Sequence, residues 1–251
     1  MDKRLETAIQ AARAAGEVAL KYFRTALTVE YKGDASPVTR ADRECEQLIV
    51  EILRTAFPDY GVLGEEFGER EGAGARWIVD PIDGTKNFIR GIPYFATLIA
   101  LEEEGEVTTG VIHAPAMDDL LYAQRGGGAF DKRGRLQVSD IESLRQGTVV
   151  FGGLDAFHVR HLWPGFEALV RGSDRQRGFG DYFGHTFIAR GQAEAMVELD
   201  LKPYDVAPLK IIIEEAGGRF TDLKGVATIY GDEAVTSNGR VHDEVLELMR
   251  S

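Results

Sequence analysis

Residues 77–88, WIVDPIDGTKNF, join a short apolar run to two carboxylates that flank a proline. The run Trp77–Val79 is aromatic and β-branched, which is typical of a buried strand. Asp80 and Asp83 repel each other at neutral pH unless a positive charge lies between them. The segment therefore predicts either a plain strand, Asp-Gly turn and capped helix, or a divalent cation site at the end of a sheet strand.

Composition and charge narrow the classes of function. The chain has 251 residues, of which 44% are hydrophobic and 28% charged, as in an ordinary globular protein. The excess of 41 acidic over 29 basic residues gives a net charge of −12. Such a charge disfavours nucleic acids and anionic membranes as partners. It still allows an anionic substrate where a bound metal reverses the local sign.

The single cysteine and the hydropathy pattern predict a cytoplasmic protein. Cys45 excludes an internal disulfide and fits a reducing compartment, and its helical context predicts a packed, inert thiol. The first 23 residues have the charge and apolar spacing of an amphipathic helix, without the apolar core of a signal peptide. No run reaches the roughly 18 apolar residues that a membrane span requires.

Periodicity along the chain predicts a mixed protein with two lobes. An α+β lobe is expected over 1–145 and an α/β lobe over 146–251, without a flexible linker. The predicted helices are 5–25, 42–56, 163–170, 182–190, 203–217 and 241–251. The predicted strands are 60–63 and 77–80, a meander and hairpin over 94–139, and 148–153, 193–199 and 218–223.

The triple glycine 126–128 could suggest a phosphate loop. No strand–loop–helix context surrounds it, however, so we interpret it as a turn.

Acidic residues recur at the ends of predicted elements, a pattern that suits a hard cation. One Cys and five scattered His offer no spacing for a zinc or iron–sulfur site. Mg²⁺ prefers oxygen ligands and retains waters and substrate phosphate oxygens. The candidate ligands are Glu65, Asp80, the carbonyl of Ile82, Asp83 and Asp205.

Gly84 and Thr85 extend this hypothesis to the phosphate. Gly84 lets the backbone approach a ligand, and Thr85 begins a predicted helix whose free N–H groups suit an anion. Metal and phosphate would then be neighbours.

Four blocks in this order resemble the inositol monophosphatase superfamily of Mg²⁺-dependent phosphomonoesterases. They are SPVTRAD (36–42), GEE (64–66), the 77–88 segment and PYDVAPLKIIIEEAGG (203–218), and together they span most of the chain. The resemblance implies a layered αβαβα sandwich of mixed α+β and α/β class. It also implies two or three Mg²⁺ ions, with Mn²⁺ as a possible substitute, and a homodimer.

The resemblance also assigns roles to residues. Glu65, Asp80 and Asp83, with the Ile82 carbonyl, match metal ligands. Asp205 matches the late ligand, which also contributes to the substrate site, although Tyr204 stands where Trp is commoner. Gly84 and Thr85 match the phosphate-binding backbone. The catalytic set is Asp42, Thr85 and Glu65, in which Asp42 and the Thr85 hydroxyl orient the attacking water. No Ser or Cys nucleophile motif occurs, which agrees with direct attack by water.

Three features resemble the histidinol-phosphatase branch: Lys86, Lys202-Pro203 and Gly180-Asp181. Asp181 and Glu198 match positions that contact the leaving alcohol, where an ammonium group gives a carboxylate an electrostatic role. The alternative roles are a helix N-cap for Asp181 and a solvated strand end for Glu198.

Several side chains and functions stay open. His185 either meets substrate or lies on a helix surface, Arg177 and Lys86 either assist phosphate binding or balance charge, and Lys32 could pair with Asp34. The alternative activities are an inositol-1-phosphatase or broad sugar-phosphate phosphatase, a 3′-phosphoadenosine nucleotide phosphatase, and a catalytically silent binding protein.

Overall fold

The structure, a computed structural model, describes residues 2–26, 28–33 and 37–250. Its helices are α1 Lys3–Tyr22, α2 Arg40–Ala56, α3 Thr85–Ile89, α4 Leu154–Val159, α5 Trp163–Gly172, α6 Asp181–Ala189, α7 Pro203–Glu215 and α8 His242–Met249. Within these described ranges, no helix combines the length and the apolarity needed to cross a membrane.

The strands form two large sheets and one small one. They are β1 Val29–Tyr31, β2 Pro37–Thr39, β3 Gly61–Gly64, β4 Gly68–Arg70, β5 Ala75–Asp83, β6 Ala96–Glu103, β7 Glu106–Ala114, β8 Asp119–Gln124, β9 Gly128–Asp131, β10 Gly134–Arg135, β11 Thr148–Phe151, β12 Arg175–Gly178, β13 Ala195–Leu199, β14 Arg219–Thr221 and β15 Glu233–Ser237. The eight-stranded sheet has the order β10-β9-β8-β7-β6-β5-β3-β4, and the five-stranded sheet has the order β12-β11-β13-β15-β14. β1 and β2 pair separately.

The layers confirm the predicted αβαβα sandwich. Because successive side chains of a strand point to opposite faces, Trp77 packs with α1 and α2 while Ile78 packs with α6 and α7. The five-stranded sheet closes the far side of α6 and α7 and carries α5 and α8 on its outer face. The core around α7 contains residues from both predicted lobes, and the division at residue 145 stays a prediction.

The face of α1 against the sheet is lined mostly by small residues. Ile9, Val18, Tyr22 and Phe23 are only partly buried, whereas the buried positions of α1 are Leu5, Thr7, Ala8, Ala11, Ala12, Ala15, Gly16 and Ala19. A Cβ at Gly16 would lie 2.6 Å from the His113 ring, so the close approach of helix and sheet requires glycine there. Cys45 of α2 is buried against Ala15, and burial raises the pKa of its thiol to about 12.

The triple glycine forms a turn, as predicted. The N–H groups of Gly126 and Gly128 donate to the Glu215 carboxylate at 2.7 Å each. A side chain of the protein itself therefore occupies the N–H groups that could otherwise hold an anion.

A buried histidine links β14, β15 and α8. His242 lies between two hydroxyls, with Nε2 2.8 Å from Thr221 Oγ1 and Nδ1 2.8 Å from Ser237 Oγ. Burial lowers the pKa of His242 to about 4. The imidazole is therefore neutral in the folded protein near pH 7.

Acid is expected to destabilise the protein through His242. Its pKa in the fold lies below the unfolded value of about 6.5, so its contribution is present above pH 6.5 and is lost as the pH falls toward 4. Between pH 7 and pH 5, the free energy of unfolding should fall by about 2 kcal/mol more in the wild type than in His242→Gln. Urea denaturation measures this, with the exposed His161→Gln as control. Identical pH slopes for His242→Gln and the wild type would contradict the assignment.

Candidate active site

The carboxyl end of β5 opens into a cleft of about 480 Å³ between the two large sheets. Four helices begin at this cleft: α3, α4, α6 and α7. The predicted site residues that line it are Glu65, Asp80, Ile82, Asp83, Gly84, Thr85, Asp181, Glu198 and Asp205, together with Lys86. Segments far apart in sequence therefore meet at the end of one strand.

Pro81 shapes the end of β5. The antiparallel pairing with β6 is regular up to Asp80, loses register and resumes at Asp83. Proline lacks the N–H that a central strand needs, so the irregularity falls where the ladder cannot continue. The Pro81 carbonyl is satisfied instead by the Thr97 hydroxyl at 2.9 Å. The two aspartates of the 77–88 segment are thereby brought to the same cleft.

Three carboxylates converge in the cleft. Asp80, Asp83 and Asp205 each offer an oxygen, and these atoms all lie within 4.8 Å of one another. Each carboxylate accepts one backbone N–H, from Ile82 at 2.9 Å, Tyr182 at 2.7 Å and Lys202 at 2.7 Å respectively. These bonds fix the carboxylates but leave several oxygen lone pairs free to bind a ligand.

The burial and charge of these three carboxylates, the triad of Asp80, Asp83 and Asp205, favour binding of a cation. Burial raises the pKa of Asp80 and of Asp83 well above the ordinary value, and raises that of Asp205 to about 7. No Lys or Arg of the described ranges forms an ion pair with any of the three. Oxygens on opposite sides of Mg²⁺ lie about 4.2 Å apart, so the spacing of the triad fits such an ion.

Glu65 lies beside the triad but is paired with a lysine. Its backbone N–H continues from β3 to the Val79 carbonyl at 3.1 Å. Lys32 Nζ contacts Glu65 Oε1 at 2.8 Å and Glu66 Oε1 at 2.7 Å. Asp34, the partner suggested for Lys32 from the sequence, lies outside the described residues. The structure thus gives Lys32 two other partners, of which Glu65 lines the cleft.

A steric constraint explains the glycine at position 64, the first residue of the GEE block. The buried Glu46 carboxylate accepts the N–H groups of Glu66 at 2.7 Å and Phe67 at 3.1 Å. A Cβ at Gly64 would lie 1.9 Å from Glu46 Oε1, which no side chain could tolerate. Glu46, a residue not singled out from the sequence, therefore holds the segment that carries Glu65.

Thr85 connects the cleft to a buried acid. Its hydroxyl lies 3.0 Å from the Ile82 carbonyl and 3.3 Å from Asp42 Oδ1. The other carboxylate oxygen of Asp42 accepts the N–H and hydroxyl of Thr39 in a capping box at the start of α2. Burial raises the pKa of Asp42. Asp42 does not line the cleft; among the described residues, Thr85 connects it to the cleft.

Gly84 allows the sharp turn into α3. Its φ is 81°, a left-handed conformation that favours glycine, and a Cβ there would lie 2.8 Å from the Tyr94 carbonyl. Both constraints exclude a larger residue between Asp83 and Thr85.

A second pair of carboxylates faces the same cleft. Asp181 N–H donates to Glu198 Oε1 at 2.9 Å, and Asn87 Nδ2 donates to Asp181 Oδ2 at 2.9 Å. Burial, and then the nearby charge of Glu198, raise the pKa of Asp181 to about 6. Both alternative roles for this pair are wrong: Gly180 is the N-cap of α6, and Glu198 is only 7% exposed.

The sequence as a whole places the chain in a known group. The sequence profile of the inositol monophosphatase family matches residues 1–251. The chain belongs to this family.

Relatives of this inositol monophosphatase family member match it over most of its length. A histidinol-phosphatase of Chlorobaculum parvum is 42% identical over 235 residues, covering 93% of this chain and 91% of the relative. A histidinol-phosphatase of Mycobacterium tuberculosis is 42% identical over 226 residues, with coverages of 88% and 87%. The solved IMPase of Thermotoga maritima aligns with a TM-score of 0.90 and 34% identity, over 99% and 97% of the two chains. The chain is a phosphoric monoester hydrolase.

Three residues left open from the sequence lie in different environments in this phosphatase. Lys86 lines the cleft, whereas Arg177 of β12 is exposed and does not. His185 is fully buried, so the expectation of a helix-surface position is wrong, and it does not line the cleft. Its ring contacts Glu198 and Thr236 instead.

Proposed function

We propose that this phosphatase hydrolyses L-histidinol phosphate to L-histidinol and phosphate in a Mg²⁺-dependent reaction. The observation that carries the proposal is the second carboxylate pair, Asp181 and Glu198, in the same cleft as the triad. The two relatives at 42% identity that bear the name histidinol-phosphatase support it.

Charge complementarity supports this choice of alcohol. Histidinol carries an ammonium group and an imidazole, whereas inositol carries only hydroxyls. Phosphate and metal are common to all these substrates, so discrimination must come from the side of the leaving alcohol. The nearby charge of Glu198 disfavours ionisation of Asp181, and a bound cation would relieve that repulsion.

The residues proposed to hold Mg²⁺ are Glu65, Asp80, Asp83 and Asp205, with the carbonyl of Ile82. Two or three ions, or Mn²⁺ in their place, are compatible with so many oxygens. Bound Mg²⁺ supplies charge neutralisation for the phosphate and for the leaving alkoxide, and makes water a stronger acid. The backbone of Gly84 and Thr85 is proposed to bind the phosphate, and Asp205 to contribute also to the substrate side.

Asp42 and Thr85 are proposed to orient and deprotonate the attacking water, with Glu65 as the third member of the catalytic set. A hydroxyl donates one hydrogen bond and can also accept hydrogen bonds, so Thr85 Oγ1 can donate to Asp42 Oδ1 while it accepts a hydrogen bond from water. The raised pKa of Asp42 makes this carboxylate a stronger base. Attack by water then needs no covalent intermediate.

The second candidate is an inositol-1-phosphatase or broad sugar-phosphate phosphatase, which the name of the Thermotoga maritima IMPase favours. A panel of L-histidinol phosphate, inositol 1-phosphate, fructose 1,6-bisphosphate and 3′-phosphoadenosine 5′-phosphate, ranked by kcat/KM with and without Mg²⁺, tests both. L-histidinol phosphate should rank first. Another substrate in first place would favour the second candidate or a nucleotide phosphatase, and no phosphate release from any would indicate a silent binding protein.

Asp181→Asn is expected to reduce turnover of L-histidinol phosphate selectively. Asparagine accepts the left-handed φ of 57° at this position and can keep the contact with Asn87. Loss of an ammonium–carboxylate contact should lower kcat/KM for L-histidinol phosphate by about 10- to 150-fold, and that for inositol 1-phosphate much less.

Steady-state kinetics on both substrates measure this selectivity. The matched control is Asp155→Asn, because Asp155 lines the cleft without contacting Asp181 or Glu198. It should change kcat/KM for both substrates by the same small factor. Equal losses in Asp181→Asn would contradict the role of Asp181.

The quaternary structure and location are also proposals. A cytoplasmic homodimer agrees with the single buried thiol and with the family resemblance. Sedimentation velocity on the purified protein tests the dimer.

A further inference from the structure

The carboxylate of Glu198 is held at both oxygens by one turn of α6. Asp181 N–H donates to Oε1 at 2.9 Å, and His185 Nε2 lies 3.0 Å from Oε2. Residues four apart lie on the same side of a helix, so the two donors can reach one carboxylate together. The orientation of Glu198 toward the cleft is therefore set from α6.

Two glycines close the space around the same carboxylate. A Cβ at Gly152 would lie 2.4 Å from Glu198 Oε1, and a Cβ at Gly180 would lie 3.2 Å from it. Side chains at these two positions would crowd the carboxylate, so the glycines leave it room beside the cleft. The hydrogen bonds from α6 then select its orientation.

The Glu198 carboxylate sets which ring nitrogen of His185 donates, and Thr236 meets the other nitrogen. Thr236 Oγ1 lies 2.9 Å from His185 Nδ1, and both residues are fully buried. A neutral imidazole has one donor and one acceptor nitrogen, and an ionised carboxylate only accepts. When the ring is neutral, Nε2–H must face Glu198, and Nδ1 accepts the Thr236 hydroxyl. Each ring nitrogen of His185 then has one hydrogen-bond partner.

We infer that His185, oriented by Thr236, is a positioning residue that holds the Glu198 carboxylate aimed at the cationic part of the leaving alcohol. The inference rests on the proposed function, because it concerns the selectivity for a cationic alcohol. His185 does not line the cleft, so it acts only through Glu198.

His185→Leu tests the inference by removing the donor while keeping an apolar side chain in the core. KM for L-histidinol phosphate should rise about 10-fold while kcat changes by less than about 3-fold, because a positioning contact on the alcohol side contributes to binding. The inhibition constant of L-histidinol should rise by the same factor. KM for inositol 1-phosphate should change by less than about 3-fold.

His185→Gln serves as the rescue variant, because its side-chain amide can donate to Glu198. It should restore most of the KM for L-histidinol phosphate, which a merely structural role of the ring would not predict. Thr236→Val should raise the KM for L-histidinol phosphate by about 3-fold. If His185→Leu does not fold in a thermal-melt assay, Thr236→Val tests the inference in its place.

The outcomes separate this inference from the proposed function. A wild-type enzyme without preference for L-histidinol phosphate overturns both. A wild-type preference that is retained in folded His185→Leu, or equal KM increases on both substrates, overturns the role of His185 alone.

Discussion

Asp83→Asn is expected to lower kcat by roughly a hundred- to a thousandfold or more, with a weaker dependence on Mg²⁺. Asp83 supplies one of the three converging oxygens of the triad, and its Oδ2 is fixed by the Tyr182 N–H. An asparagine oxygen can keep that bond, so the fold should survive. The amide nitrogen would then face the triad, where it cannot bind a cation.

The same substitution should stabilise the metal-free protein. Burial raises the pKa of Asp83 above its unfolded value, so the folded state favours the protonated form. The stability that Asp83 contributes is present at low pH and is lost as the pH rises through its folded pKa. Because asparagine does not ionise, Asp83→Asn in a chelator should be about 1–3 kcal/mol more stable than the wild type at pH 8.

Chemical denaturation in the presence of a chelator at pH 4 to 8, together with phosphate-release assays, measures both effects. The advantage of Asp83→Asn in the free energy of unfolding should shrink as the pH falls toward 4, because the Asp83 carboxyl of the wild type is then protonated. The exposed Asp140→Asn is the control and should match the wild type in both assays. Near-normal turnover of Asp83→Asn at saturating Mg²⁺ would contradict the proposed site.

The sequence predicted the elements whose apolar pattern is strong. The strand that contains Trp77, the meander after it, and the helices around Cys45 and Val206 were all expected and are present. Each of them presents a continuous apolar face to a core, so local periodicity and tertiary packing agree.

The elements that were missed owe their structure to neighbours. Strand β12, with the sequence RQRG, is mostly exposed and forms because it pairs in parallel with β11. Strand β15, EAVTS, is buried along its whole length, so it shows no alternation. Its polar side chains are satisfied by distant partners, such as Arg160 for Glu233 and His185 for Thr236. No local pattern carries that information.

The site, like the fold, combines residues that a local motif predicts with residues that only the folded structure brings together. Asp80 and Asp83 could be assigned to one cleft because only two residues separate them, at the end of a predicted strand. Lys32 illustrates what sequence cannot show, since its observed partners lie 33 and 34 residues away, whereas a carboxylate lies two positions along the chain. Long-range pairing depends on the folded geometry, and proximity in sequence is a poor guide to it.

Thr85→Ala is the second substitution with a large expected effect, and it should lower kcat by roughly a hundred- to a thousandfold while KM changes little. The Thr85 hydroxyl links the cleft to Asp42 Oδ1, which no other side chain of the described ranges does. A residue that acts on the nucleophile contributes to the transition state and much less to substrate binding.

Thr85→Ser is the matched variant, because it keeps the hydroxyl and removes only a methyl group. It should retain kcat within about 10-fold of the wild type, whereas Thr85→Ala should not. Single-turnover and steady-state measurements on the substrate ranked first by the panel separate kcat from KM. An unchanged kcat with a raised KM in Thr85→Ala would assign Thr85 to phosphate binding alone, and the proposed connection of Asp42 to the reacting water would then be lost.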